Sequence, residues 1–384
     1  MTERSVCLPL LLIGMLAAQS AFAQNTPGQA IGIGVIAPIS GPAATYGKDL
    51  LNGVNLAVDE INAAGGAGGH PLAVVVGDDR ASPKDAANVT QSFVSNPKVL
   101  AMVGGITSTA TFGAVPVAQK GKLPFVITLA SHPDLTREGD YIFRDSITQD
   151  QEAPAIGRMV ATCLAPKTVA IMYLNNDWGL AMTEGLKKSL AASGIRIVAE
   201  ESYDPGETVD YSAKLAKIRS ANPDVIWFGS QYNDLAMILK QAQRANLGSK
   251  PMVASTAAYS AGLTDVAGAA ANNLYLHAPF SSVSTDAGAK AFSERFERKY
   301  KAIPGATSAQ AYESVYIVAR EAERGGFTRD GLQKALATMP PFPGLGGMIS
   351  FDPQTREATG KTFTPMMIKD KSFVLWADCQ NKLK

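Results

Sequence analysis

Short apolar runs alternate along this chain with longer segments whose apolar positions recur every three or four residues. The run 31–36 predicts a buried strand, and the segment 47–61 predicts an amphipathic helix. The alternation continues with strands predicted at 72–76, 99–103 and 125–127 and a helix at 83–93. Strands and helices in this order are typical of an α/β fold with a parallel sheet that helices cover on both faces.

The same order begins again near residue 168. Strands are predicted at 169–173, 195–200 and 225–228, and helices at 179–192, 211–221 and 234–245. The halves match in detail, because Tyr46-Gly47 after the first strand of one half corresponds to Trp178-Gly179 in the other. A duplicated unit of this kind predicts two lobes that face each other across a cleft. Extended pieces at 141–144, 274–279 and 344–351 are predicted to connect the lobes as a three-stranded hinge.

Small hydroxyl residues follow two of the predicted strands. Ser108 and Thr109 come after the run 99–103, and Ser131 ends the cluster 128–131 after the run 125–127. We expect both clusters to start helices at the carboxyl edge of the sheet, where ligands of open parallel sheets bind. Hydroxyls beside the N–H groups of a helix N-terminus suit an anion such as a carboxylate. The alternative is that these hydroxyls only cap two helices.

The beginning of the chain predicts export. An apolar stretch, 8–18, follows Arg4 and precedes Ala21-Phe22-Ala23, which is the pattern of a signal peptide spanning residues 1–23. We therefore expect a soluble periplasmic protein that starts at Gln24. Its formal net charge of +1 argues against a nucleic-acid partner and against strong electrostatic binding to membranes.

The sequence offers little for catalysis or cofactors. The glycines of the run 31–35 lack a third glycine opening a helix, so they are no dinucleotide fingerprint, and no phosphate-loop motif occurs. Only one of the three histidines, His132, neighbours the predicted site, and no nucleophile elbow surrounds Ser131. No His/Cys cluster has metal-ligand spacing. We therefore predict a protein that is no enzyme and holds neither a cofactor nor a metal.

A set of short motifs, in order and spacing, resembles one known family. They are Ile39-Ser40-Gly41-Pro42 with Tyr46-Gly47, Asp59-Glu60-Ile61-Asn62, Asp78-Asp79 with Pro83, Gly104 to Thr109, Pro133-Asp134-Leu135-Thr136, Asp177-Trp178-Gly179, Leu239-Lys240-Gln241-Ala242 and Phe351-Asp352. Across nearly the whole chain after residue 23, the sequence resembles the periplasmic substrate-binding proteins of branched-chain amino acid ABC transporters. The resemblance implies a type I periplasmic binding fold with lobes at 24–143 plus 279–345 and at 144–278 plus 346–384.

The resemblance also implies a ligand site. Hydroxyls at Ser108 and Ser131 would hold a ligand carboxylate with help from the backbone near Leu129 and Ala130, while Tyr46 and Trp178 close the two sides. The second-lobe loop at Gln231 and Tyr232 supplies another wall. Thr109 and Thr256 complete the predicted ligand-binding set.

One departure from the family affects the expected ligand. Amino-acid-binding members place an acid after the strand that follows the helix at Leu239, but the segment 253–259 contains none. An ammonium without a counter-charge is costly to bury. Either Asp145 or Asp150 takes that role, or the ligand is a carboxylate or amide without an α-amino group.

The resemblance implies a monomer that delivers its ligand to the membrane permease of an ABC importer. The alternative is a ligand-sensing module of the same fold, in a receptor or as an amide sensor. The resemblance also places the C-terminal tail on the second lobe, near the helix that ends at Cys163. Cys163 and Cys379 are therefore expected either to form a disulfide or to remain two buried thiols.

Overall fold

Two mainly parallel sheets form the frame of the protein in a computed structural model that describes residues 28–204 and 210–383. The predicted signal peptide lies outside these residues. The first sheet consists of β1 (Ile31–Ala37), β2 (Leu72–Asp78), β3 (Val99–Gly104), β4 (Phe125–Ile127) and β5 (Ile142–Arg144). Its order is β2-β1-β3-β4-β5, and all neighbours run parallel.

The second sheet repeats this order and then extends it. Its parallel strands are β6 (Thr168–Leu174), β7 (Arg196–Tyr203), β8 (Val225–Gly229), β9 (Met252–Ala254) and β10 (Leu274–Ala278). A three-stranded sheet follows with β11 (Phe342–Gly344), β12 (Gly347–Phe351) and β13 (Ala358–Lys361), and then β14 (Thr364–Lys369) and β15 (Ser372–Leu375) join the second sheet. The second order is β15-β14-β10-β9-β8-β6-β7, with β14 antiparallel to β10. The α/β fold of two parallel-sheet lobes is confirmed.

Helices cover the faces of both sheets. They are α1 (Ala44–Ala63), α2 (Pro83–Ser95), α3 (Ser108–Lys120), α4 (Gln149–Met159), α5 (Asp177–Ala192), α6 (Ser212–Ala221), α7 (Tyr232–Arg244), α8 (Ala261–Ala267), α9 (Ala287–Tyr300), α10 (Ala306–Arg324), α11 (Arg329–Ala337) and α12 (Ala377–Leu383). Within the described residues, none of them is long and apolar enough to cross a lipid bilayer.

The chain passes between the lobes three times. It leaves the first lobe after β5, returns to it between β10 and α9, and leaves again between β13 and β14. On its return, α10 packs against α1, where the Ser308 hydroxyl donates to the Asp49 carbonyl at 2.9 Å. The division of the chain into lobes at the residues given above remains a prediction.

All three predicted connections contain paired strands, and the segment 141–144 contributes β5 to the first sheet. The segment 274–278 is β10, which lies inside the second sheet between β9 and β14. The segment 344–351 turns between β11 and β12, which form an antiparallel hairpin. Their strand partners come from distant parts of the chain, so the local pattern could predict extended backbone but not pairing.

Candidate functional site

Most of the predicted ligand-binding residues lie between the lobes, where the carboxyl ends of β3 and β4 face those of β8 and β9. These residues surround a cleft whose empty space, counted together with the open solvent at its entrance, is about 530 Å³. Seven of the ten predicted ligand-binding residues line it, namely Tyr46, Ser108, Leu129, Ser131, Trp178, Gln231 and Thr256.

A glycine directly follows each of the two aromatic residues that line the cleft, Tyr46 and Trp178. Gly47 follows Tyr46 at the start of α1, and a Cβ there would lie 2.1 Å from the Pro38 carbonyl oxygen. Gly179 follows Trp178 at the start of α5, and a Cβ there would lie 1.8 Å from the Leu174 carbonyl oxygen. In both lobes a glycine therefore lets the helix start against the end of the preceding strand, which brings the neighbouring aromatic ring to the cleft.

Ser108 is the first residue of α3 and is 1% exposed. The cap of this helix is the preceding residue, because the Thr107 hydroxyl accepts the Ala110 N–H at 3.3 Å. The Ser108 hydroxyl oxygen accepts the His132 N–H at 3.3 Å, and its proton has no acceptor among the described residues. The N–H groups of Ser108 and Thr109 in the first turn also lack helical acceptors. Ser108 therefore presents donors to the cleft and does not cap the helix.

The second hydroxyl cluster differs from its prediction. Ser131 lines the cleft, but no α-helix starts there, because a six-residue 3₁₀ segment, Pro133–Glu138, follows it. The N–H groups of Leu129 and Ala130 both donate to the Gly105 carbonyl, at 3.3 and 2.9 Å. They hold the turn together, so an anion here would rely on the hydroxyls and on the N-terminus of α3 alone.

Three predicted residues stand back from the cleft. Ala130 is buried in the core of the first lobe. The Thr109 hydroxyl donates across the lobes to Asp177 at 2.9 Å. Tyr232 packs its ring 4.3 Å from that of Tyr46 and donates its N–H to the Tyr46 hydroxyl at 3.0 Å. Thr109 and Tyr232 therefore hold the lobes together and do not line the cleft.

Neither acid suggested by the sequence reaches the cleft. Asp145 is buried in an ion pair with Lys361, Oδ1 to Nζ 2.9 Å, and accepts the Ser314 hydroxyl at 2.9 Å. Asp150 is exposed on α4. Glu152, two residues after Asp150 on α4, does line the cleft. A carboxylate-bearing side chain is therefore present, from a position that the sequence did not single out.

Glu152 is a buried acid without a cation. It is 3% exposed, and its Oε1 accepts the Thr256 N–H at 2.6 Å. It forms no ion pair within residues 28–204 and 210–383. Burial raises the pKa of Glu152 to about 7, and the hydrogen bonds from Thr256 offset this only in part. A cationic ligand group beside it would restore the charged form.

Sequence reasoning missed several other polar residues of the cleft. They are Thr107, Ser146, Asn176 and Gln310. Thr107 and Asn176 are the N-caps of α3 and α5, and an N-cap pattern after a strand would have found them. Ser146 and Gln310 come from the hinge and from the returning helix α10, and no local pattern marks either one.

The family comparison covers almost the whole chain. A family model described as "Periplasmic binding protein" matches residues 30–371. The chain is 28% identical over 297 residues to the leucine-, isoleucine-, valine-, threonine-, and alanine-binding protein of Pseudomonas aeruginosa, covering 77% of this chain and 79% of that protein. It is 28% identical over 361 residues to the Leu/Ile/Val-binding protein BraC3 of Rhizobium johnstonii, covering 92% and 95%.

Solved structures share the fold. The branched-chain amino acid transporter substrate binding protein LivJ of Streptococcus pneumoniae, in complex with isoleucine, superposes with a TM-score of 0.83 at 33% identity, covering 90% of this chain and 98% of that one. A solute binding protein of R. palustris, in complex with benzoate, has a TM-score of 0.83 at 22% identity, with 90% and 95% covered. At that identity the second similarity shows the fold alone.

Proposed function

Because the chain belongs to the family of periplasmic binding proteins, we propose that it is the substrate-binding protein of an ABC importer and captures one small carboxylate between its lobes. The observation that carries the proposal is the set of donors at one end of the cleft. Ser108 and Ser131 offer hydroxyls there, and the first turn of α3 adds N–H groups and the positive end of its dipole. A carboxylate bound there needs no basic side chain.

Glu152 supports an amino acid as the ligand. A buried carboxyl without a cation is costly when charged, and a ligand ammonium beside it supplies the missing charge. Relatives at 28% identity are named for leucine, isoleucine and valine. The acid that the segment 253–259 lacks would thus come from α4, through a side chain that already contacts Thr256.

The remaining parts of the proposal follow from the family. The protein would be exported to the periplasm by the segment 1–23, would act as a monomer, and would pass its ligand to a membrane permease. Binding without turnover is the expected activity, since the family that the chain matches consists of binding proteins.

Calorimetry on Ser108→Ala and Ser131→Ala tests the carboxylate site. A hydrogen bond to a charged group contributes about 1.5–3 kcal/mol, so each variant should bind carboxylates roughly 10- to 150-fold more weakly. The melting temperature without ligand should stay near that of the wild type for Ser131→Ala, and should fall only slightly for Ser108→Ala, which does not cap α3 but loses the acceptor of the His132 N–H. Ser92→Ala, an exposed serine of α2, is the matched control and should change neither quantity. Unchanged affinity in both cleft variants would refute the carboxylate site.

A further inference from the structure

A third serine of the first lobe lines the cleft beside the two serines of the carboxylate site. Ser108, Ser131 and Ser146 follow β3, β4 and β5, which are neighbours in the sheet, and all three side chains line the cleft. Neighbouring strands lie about 4.8 Å apart, so the end of β5 lies two strand spacings, about 10 Å, from the end of β3. The three serines therefore extend from the N-terminus of α3 toward the hinge.

Helix α10 brings a second polar side chain to this hinge end. Ser314 of α10 donates to Asp145 at 2.9 Å, which fixes the helix against the residue next to Ser146. Gln310 precedes Ser314 by one helical turn and so lies on the same face of α10. Gln310 also borders a small depression that Glu313 and Lys361 line. Ser146 and Gln310 thus border one end of the cleft.

The polar atoms of both residues are buried and unpaired. Ser146 is 1% exposed and Gln310 is 2% exposed. The Ser146 hydroxyl and both the Nε2 and Oε1 atoms of Gln310 have no hydrogen-bond partner in the described part of the chain. Buried polar side-chain atoms in native proteins are paired in the large majority of cases. Both residues line the cleft, so their unpaired donor and acceptor atoms are available to a ligand group there.

We propose that Ser146 and Gln310 form a second polar subsite, which recognises a neutral hydrogen-bonding group, a hydroxyl or a carboxamide, at the end of the ligand remote from its carboxylate. Such a group both donates and accepts, as the Gln310 amide requires. In an α-amino acid the ammonium is on the carbon next to the carboxylate, so the remote end is the side chain. The ligand side chain therefore ends in a polar group, which a purely aliphatic side chain cannot supply.

This proposal rests on the proposed function, because it takes the carboxylate to be held at Ser108 and Ser131. Two pairs of probes test it by calorimetry, L-tyrosine against L-phenylalanine and L-glutamine against L-leucine. Wild-type protein should bind the polar member of at least one pair at least about tenfold more tightly. Gln310→Leu and Ser146→Ala should each reduce that preference to within about threefold.

Folding and the carboxylate site have separate readouts. The melting temperature of ligand-free Gln310→Leu should equal or exceed that of the wild type, since the amide bonds no described group; a clear decrease would indicate a structural role and overturn the proposal. Ser108→Ala should weaken both members of a pair equally. Equal or tighter wild-type binding of the apolar members, or a preference that survives both hinge-end variants, would also overturn it. If benzoate binds and none of the four amino acids does, this proposal fails while the carboxylate site stands; if no carboxylate binds, both fail.

Discussion

The ionised Glu152 carboxylate destabilises the folded protein when no ligand is bound. Its pKa is raised by burial from 4.5 to about 7, so the folded state holds the proton more tightly than the unfolded state does. The penalty is absent below about pH 4.5, grows as the pH rises, and is complete above about pH 7. A shift of this size corresponds to roughly 3 kcal/mol. Binding of a ligand ammonium would relieve this penalty, which couples affinity to the identity of the ligand.

Glu152→Gln tests this role in two ways. The variant keeps an acceptor for the Thr256 N–H but removes the charge, so the free energy of unfolding without ligand should exceed that of the wild type by roughly 3 kcal/mol at pH 8 and by nothing near pH 4. Urea unfolding at the two pH values measures this difference. The variant should also lose the preference for L-leucine over 4-methylpentanoate, which lacks the amine. A preference unchanged by the substitution would show that Glu152 does not meet an ammonium.

Single residues were predictable where a local pattern marks them. Ser108 follows a strand and starts a helix, and Tyr46 and Trp178 precede glycines at repeated positions, so the sequence pointed to all three. Glu152 and Gln310 lie on helices whose patterns explain them as ordinary polar positions. Their burial arises because α4 and α10 meet the cleft after the chain has passed between the lobes, and a local pattern does not contain that information.

At the scale of elements, a disulfide fastens the C-terminal helix. Cys163 lies in a π-helical turn, Val160–Leu164, directly after α4, and Cys379 lies in α12. The structure joins them, with Cα atoms 5.2 Å apart and a sequence separation of 216. Neither cysteine lines the cleft, so the bridge fixes the end of the chain to the second lobe without contacting the ligand.

Cys163→Ser with Cys379→Ser should therefore separate stability from binding. In the chain-entropy model, a bridge that closes so long a loop contributes up to roughly 5 kcal/mol, and the double variant should lose stability toward urea by up to that amount. Ligand affinity at low temperature should not change. Intact-mass analysis of the exported protein after alkylation without reductant should find no label on either cysteine. Two labels would show that the thiols are not bridged.

The spacing of apolar residues predicted which segments are helices and which are strands. It failed at a few segments near the connections between the lobes. The repeated strand–helix order predicted both parallel sheets, because each strand is a short apolar run with turn residues at its ends. The segment 128–131 predicted a helix start, yet Pro133 opens only a 3₁₀ turn. Strand β10 resembled a connection because its neighbour β14 lies about ninety residues further along the chain.

At the scale of the whole molecule, the lobes make direct contacts across the mouth of the cleft. The Tyr46 hydroxyl donates to the Ala257 carbonyl at 2.7 Å and accepts the Tyr232 N–H at 3.0 Å. The Thr109 hydroxyl donates to Asp177 at 2.9 Å. These bonds join first-lobe residues to second-lobe residues, so they must break when the lobes separate to admit a ligand. A bound ligand that touches both lobes would favour the arrangement in which they form.

Small-angle scattering tests this account most directly. The wild-type protein is unfolded and refolded to remove any bound small molecule, then measured alone and with a saturating concentration of the tightest-binding carboxylate among L-tyrosine, L-glutamine, L-leucine and benzoate. The account predicts a smaller radius of gyration with the carboxylate, and a smaller decrease for Ser108→Ala at the same concentration, because that variant binds roughly 10- to 150-fold more weakly. A radius of gyration that stays constant while calorimetry shows the wild-type site to be occupied would contradict closure of two lobes over the ligand.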